Sequence, residues 1–139
     1  MAEIASNIPP AAAALHPLVQ RLITAHGYAY VETPEDLGAD PRDRLLFLPA
    51  HGKTHMETPD IAAVLPELVR ALDSGRQPLT GAVAGPAIEL ALRDALALAL
   101  PAIVVLRDGD PIGSIARMRD WDEYLTRLGT VLAETCVTH

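Results

Sequence analysis

The sequence has one cysteine, Cys136, the fourth residue from its C-terminal end. A single thiol excludes an internal disulfide framework and every two-cysteine redox motif. Lysine is nearly absent as well: Lys53 is the only one, and 11 basic side chains face 18 acidic ones for a formal net charge of -7. Such a field repels nucleic acid and anionic membrane surfaces and favours a cationic partner. Long apolar runs are missing. The longest, from Ala95 to Leu106, is about twelve residues with Pro101 inside it, against the roughly 20 that a spanning helix needs. The start, M-A-E-I-A-S-N-I-P-P, has Glu3 where a secretory signal carries positive charge, and reads as a mature cytoplasmic N-terminus with a frayed beginning.

What remains is the material of one globular domain. Half of the 139 residues are hydrophobic and 21% are charged, within the range of chains that bury a core. Residues 1–10 are expected to be flexible, 11–135 to form the domain, and 136–139 to be a flexible end. Leu15, Leu18, Val19, Leu22 and Ile23 fall on one face of a helix predicted from Ala11 to His26, which Gly27 stops. Tyr28 to Glu32 alternates as a strand. Thr33-Pro34-Glu35-Asp36 then has the form of a short helix start, with Thr33 as its cap. Arg44 to Leu48 is a continuous apolar run and the expected central strand, buried on both faces.

Pro49 ends that strand, and the polar loop A-H-G-K-T-H-M-E leads to Thr58-Pro59-Asp60, a second cap-plus-proline start. The following helix, with Ile61, Val64, Leu65, Leu68, Val69 and Leu72 on its apolar face, is interrupted by Pro66, which predicts a kink. Leu79 to Ala84 is a third strand. Gly85-Pro86 opens a helix with Ile88, Leu92, Ala95 and Leu96 on its buried face. Pro101 then leads a β-hairpin that turns at Asp108-Gly109. Asp120 and Glu123 form a capping-box pattern ahead of a last helix with Trp121, Tyr124, Leu125, Leu128 and Leu132 as its buried stripe. Strands alternating with helices imply an α/β domain, a mostly parallel sheet covered on both faces and closed by an antiparallel hairpin.

This order, with the proline-led hairpin and the proline inside the helix after the central strand, resembles the thioredoxin fold, a three-layer sandwich with a mixed five-stranded sheet. The resemblance implies a cis Leu100-Pro101 bond. It also implies that the loop A-H-G-K-T-H-M-E stands where thioredoxins carry Cys-x-x-Cys, so thiol-disulfide exchange is absent. G-Y-A-Y-V-E after the first helix, L-L-F-L before the cysteine-free loop, L-P-A-I-V-V-L-R-D-G and the tryptophan-containing last helix resemble the HyaE/HupG family of hydrogenase expression and formation proteins. That resemblance implies a cytoplasmic chaperone, not an enzyme, without a cofactor. Its partner would be the small-subunit precursor of nickel-iron hydrogenase with its twin-arginine signal peptide, with no nucleic acid and no membrane insertion.

Three candidate sites follow. Glu32, Glu35, Asp36, Asp40 and Asp43 fall within twelve residues with Arg42 as the only base, and paired carboxylates suit the guanidinium groups of a basic signal peptide. The competing reading of that stretch is a solvated loop whose acids cap a short helix. Leu100, ahead of the structural cis-proline Pro101, offers backbone for a β-type contact with an extended peptide, as it does in the thioredoxin fold. His51, His55 and Glu57 are three potential metal ligands, the basis of an alternative metal-dependent enzyme, although Gly52 and the loop context work against their convergence. A generic cysteine-free adaptor with another client is the remaining alternative.

Overall fold

A computed structural model describes residues 14–52, 55–73 and 78–134. The elements are α1 (Pro17–Thr24), β1 (Ala29–Val31), α2 (Pro34–Gly38), β2 (Asp43–Leu48), α3 (Thr58–Leu72), β3 (Leu79–Ala84), α4 (Pro86–Leu96), β4 (Ala102–Arg107), β5 (Asp110–Ala116) and α5 (Trp121–Glu134). The sheet order is β1-β3-β2-β4-β5, with β1, β3 and β2 parallel and β4 and β5 antiparallel to their neighbours. This is the mixed five-stranded sheet of a thioredoxin-like α/β fold, and the Leu100–Pro101 peptide bond is cis.

β2 is central because all six of its residues can be buried. Its side chains alternate between two cores, since successive residues of a strand point to opposite faces. Leu45 and Phe47 join Val19, Leu22, Ile61, Leu65, Tyr124 and Leu128 beneath α1, α3 and α5. Leu46 and Leu48 join Ile88, Leu92, Val104 and Leu106 beneath α4, with Leu37 of α2 at the margin. The β4–β5 turn is carried by Asp108 at φ 53 and Gly109 at φ 84, the two left-handed residues of a type I′ hairpin.

Several local expectations are corrected. α1 begins at Pro17 and not at Ala11, because the His16 imidazole accepts the Leu18 N–H and Pro17 occupies the first helical position; residues 11–13, and the predicted flexible ends 1–10 and 136–139, lie outside the described residues. Thr58 does not cap α3. Glu57 holds the cap position, and the Thr58 hydroxyl donates to the Pro49 carbonyl at 2.9 Å, closing the base of the preceding loop. Pro66 lies buried inside α3, which runs on to Leu72. Ala95 and Leu96 are exposed, and Leu98 and Leu100, beyond the end of α4, pack on that core instead. Trp121 opens α5 and is 41% exposed, whereas Tyr124, one turn on, is buried and donates its hydroxyl to the Arg117 carbonyl. Among the described residues no helix is long and apolar enough to cross a membrane.

Candidate functional site

The loop between β2 and α3 is held from three directions. Its first two N–H groups, those of Ala50 and His51, donate to the two carboxylate oxygens of Glu89 at 2.8 and 2.7 Å. Glu89 comes from the first turn of α4, where the helix dipole favours a negative charge, and is only 4% exposed. This carboxylate lets Ala50 keep its left-handed φ of 73. The His51 Nε2 lies 2.7 Å from the Ala84 carbonyl at the end of β3; a carbonyl only accepts, so Nε2 carries the proton. The far end of the loop is tied by Glu57, which accepts from Arg117 Nε and Nη2 at 2.9 and 3.1 Å and from the Met118 N–H at 2.9 Å. The Arg117 guanidinium holds the Glu57 carboxyl below the ordinary glutamate range. Arg117 also donates its backbone N–H to the Pro101 carbonyl at 2.7 Å, so one residue braces the loop against the cis-proline segment.

Between this loop, the start of α1, the first turns of α4 and Leu100 lies an open groove of about 1450 Å³. Its apolar wall includes Leu15, Met56, Leu90 and Leu100. Met56 is 88% exposed and Leu90 50%, a concentration of apolar surface that marks binding more often than it occurs by chance. Behind the groove the Tyr30 ring meets His51 edge-on at 6.4 Å. The Tyr30 hydroxyl is buried without a partner among the described residues, and burial, reinforced by the Glu32 and Glu89 charges, pushes its pKa up to about 12.

The structure scatters the acidic stretch. Asp36 accepts from the Glu32 and Thr33 N–H groups and completes a capping box with Thr33. Asp40 pairs with Arg42, which draws its carboxyl down to about 2. Asp43 is buried at the start of β2, at the far end of the strand from the groove, and is gripped by Arg107 through both carboxylate oxygens. Glu32 and Glu35 are exposed and make no side-chain hydrogen bond among the described residues. None of the five lines the groove; the Glu32 side chain lies against Gly85, which precedes the groove-lining Pro86. Leu100 is part of the wall itself.

His51, His55 and Glu57 do not converge on a metal. His51 points at Ala84, the His55 Nδ1 accepts the Glu57 N–H, and Glu57 is taken by Arg117. Among the described residues no group of three or more His, Cys, Asp or Glu is placed to hold a metal ion. The sequence reading missed Glu89, Arg117, Met56 and Leu90, which build or line the groove.

Comparison with known proteins identifies the family. The family model described as "Hydrogenase-1 expression protein HyaE" matches residues 18–124. The hydrogenase expression/formation protein HupG of Rhodobacter capsulatus is 39% identical over 128 residues, covering 89% of this chain and 91% of the relative. HoxO of Cupriavidus necator, also a hydrogenase expression/formation protein, is 34% identical over 131 residues, covering 89% and 78%. Among solved structures, a designed protein superimposes with a TM-score of 0.51 at 15% identity, over 80% of this chain and 94% of its own, a likeness of fold alone. The matched region runs from α1 into α5 and takes in the cysteine-free loop, Glu89 and the cis-proline, and the chain belongs to the HyaE family of hydrogenase expression proteins.

Proposed function

We propose that the chain is a redox-inactive, cytoplasmic chaperone of nickel-iron hydrogenase maturation, not an enzyme, that holds the small-subunit precursor through its twin-arginine signal peptide before export. Membership of a hydrogenase expression and formation family supports the pathway. The observation that carries the binding role is the groove beside Leu100 and Pro101, whose loop has no cysteine and is fixed by Glu89.

A signal peptide offers charged residues followed by an apolar segment of roughly 7–15 residues. The wall formed by Met56, Leu90 and Leu100 suits the apolar segment, and the exposed Glu32 at the Pro86 rim suits a guanidinium. The net charge of -7 draws in a basic peptide from a distance.

Titration of the chain with the small-subunit precursor, and separately with its synthetic signal peptide, tests the reading. Binding at micromolar concentration is expected, with Leu90→Asp weakening it at least about ten-fold through loss of apolar contact. Glu32→Lys should lower the association rate and steepen the loss of affinity with added salt. Charge reversal at Asp36 is expected to matter less for binding, since its carboxylate is already taken by the Glu32 and Thr33 N–H groups. Absence of binding to the precursor at micromolar concentration overturns the assignment, and equal affinity for a precursor without its signal peptide overturns the mode of recognition.

A further inference from the structure

At the floor of the groove two N–H groups converge on one carboxylate. Ala50 and His51 are consecutive, Ala50 holds a left-handed φ of 73, and their N–H groups donate to Glu89 Oε1 and Oε2 at 2.8 and 2.7 Å. Consecutive N–H groups turned to one side in this way form a concave site for an anion. The turn that presents them is braced without Glu89. The Thr58 hydroxyl donates to the Pro49 carbonyl at 2.9 Å, and His51 Nε2 donates to the Ala84 carbonyl at 2.7 Å.

Glu89 stands in this turn as an occupant, not as part of it. It comes from α4, 39 positions after Ala50. It is only 4% exposed and forms no ion pair among the described residues, so the two N–H groups are its partners. Arg93, one turn further along α4 and also on the groove lining, is taken by Asp94. Ala50, His51 and Glu89 all line the groove, so the two donors face it once the carboxylate is gone. The part of Glu89 beyond its Cβ is a CH2 and a carboxylate, the composition of an acetate ion.

We propose that the Ala50 and His51 N–H groups form a carboxylate-binding site that the chain keeps filled with its own Glu89, closing the floor of the groove to anionic ligands. An incoming carboxylate finds both donors taken and a fixed negative charge behind them, so it gives up its water without gaining a partner. A neutral or cationic segment meets no such penalty. The selection by charge rests on the groove as the site of a client, whereas the donor site itself is tested with acetate, whether or not the precursor binds.

The test uses the full chain, its Glu89→Ala variant and acetate as the probe. Tm is measured for both proteins in about 0.5 M sodium acetate and in sodium chloride at the same concentration. Exchanging chloride for acetate is expected to raise the Tm of Glu89→Ala by about 3–5 °C more than that of the unaltered chain. In amide NMR spectra the Ala50 and His51 signals should move saturably with acetate in the variant and stay in place in the unaltered chain. Glu89→Gln, which refills the space, should respond to acetate no more than the unaltered chain does. If Glu89→Ala is unfolded in chloride, recovery of the native circular dichroism spectrum in acetate is the same positive result, and unfolding in both salts counts against the proposal. An equal response of the unaltered chain and Glu89→Ala to acetate overturns the site. Movement of the Ala50 and His51 signals with acetate in the unaltered chain overturns its closure.

Discussion

Glu89 is a buried carboxylate whose partners are two backbone N–H groups. It forms no ion pair among the described residues, so those charge-assisted bonds are what offset its removal from water. Glu89→Gln keeps one acceptor and turns an amide N–H toward a backbone N–H that has lost its own. The expected cost is about 1–3 kcal/mol, a fall in Tm on the order of 5 °C, read by circular dichroism with the β-sheet signal unchanged at low temperature. A loss below about 0.3 kcal/mol would mean that water or another group supplies the acceptor as well as Glu89 does. None of this is visible along the sequence. An acid just after Gly85-Pro86 looks like a solvated residue favoured by the helix dipole, and its burial depends on the end of β2 meeting the start of α4, a contact between positions 39 residues apart.

The hairpin and α2 meet at Gly109. A Cβ there would stand 2.8 Å from the Leu37 carbonyl oxygen and 3.0 Å from the Gly38 Cα, both backbone atoms of α2. Gly109→Ala therefore combines a left-handed φ of 84, worth about 1–2 kcal/mol against an L-residue, with a contact that no rotamer relieves. A lowering of stability by more than about 2 kcal/mol is expected in urea unfolding, with the m-value unchanged; a change under 1 kcal/mol would show that the hairpin and α2 separate easily. Elements of this kind were legible. R-L-L-F-L announces a strand buried on both faces, A-I-V-V-L a hairpin strand behind Pro101, D-G the turn, and T-P-E-D a capped short helix. T-P-D at Thr58 has the same form and a different outcome, because the Pro49 carbonyl, nine residues back, accepts the hydroxyl that would have capped the helix. Trp121 misled for a related reason: helical spacing defines a stripe, but a ring in the first position of α5 projects from its end.

At the scale of the whole molecule the sheet divides the interior unequally. The core under α1, α3 and α5 contains the larger set of fully buried side chains, and the core under α4 the smaller. Less apolar area holds α4 down, so it should open locally at a free energy below that of global unfolding. Native-state hydrogen exchange is expected to find the amides of β2 and β4 exchanging only through global unfolding, with those of α4 exchanging at least about ten-fold faster, each tenfold being 1.4 kcal/mol. Equal protection of α4 and β2 would remove the distinction.

That inequality runs through the groove. One side is set by the starts of α1 and α3, which rest on the larger core; the other is the start of α4, which rests on the smaller one. The arrangement is that of a vice with one fixed jaw and one compliant jaw, and Glu89 is the linkage by which movement of the compliant jaw pulls on the loop at its base. A tilt of α4 alone would then change the width of the groove, while the five-stranded sheet keeps its register.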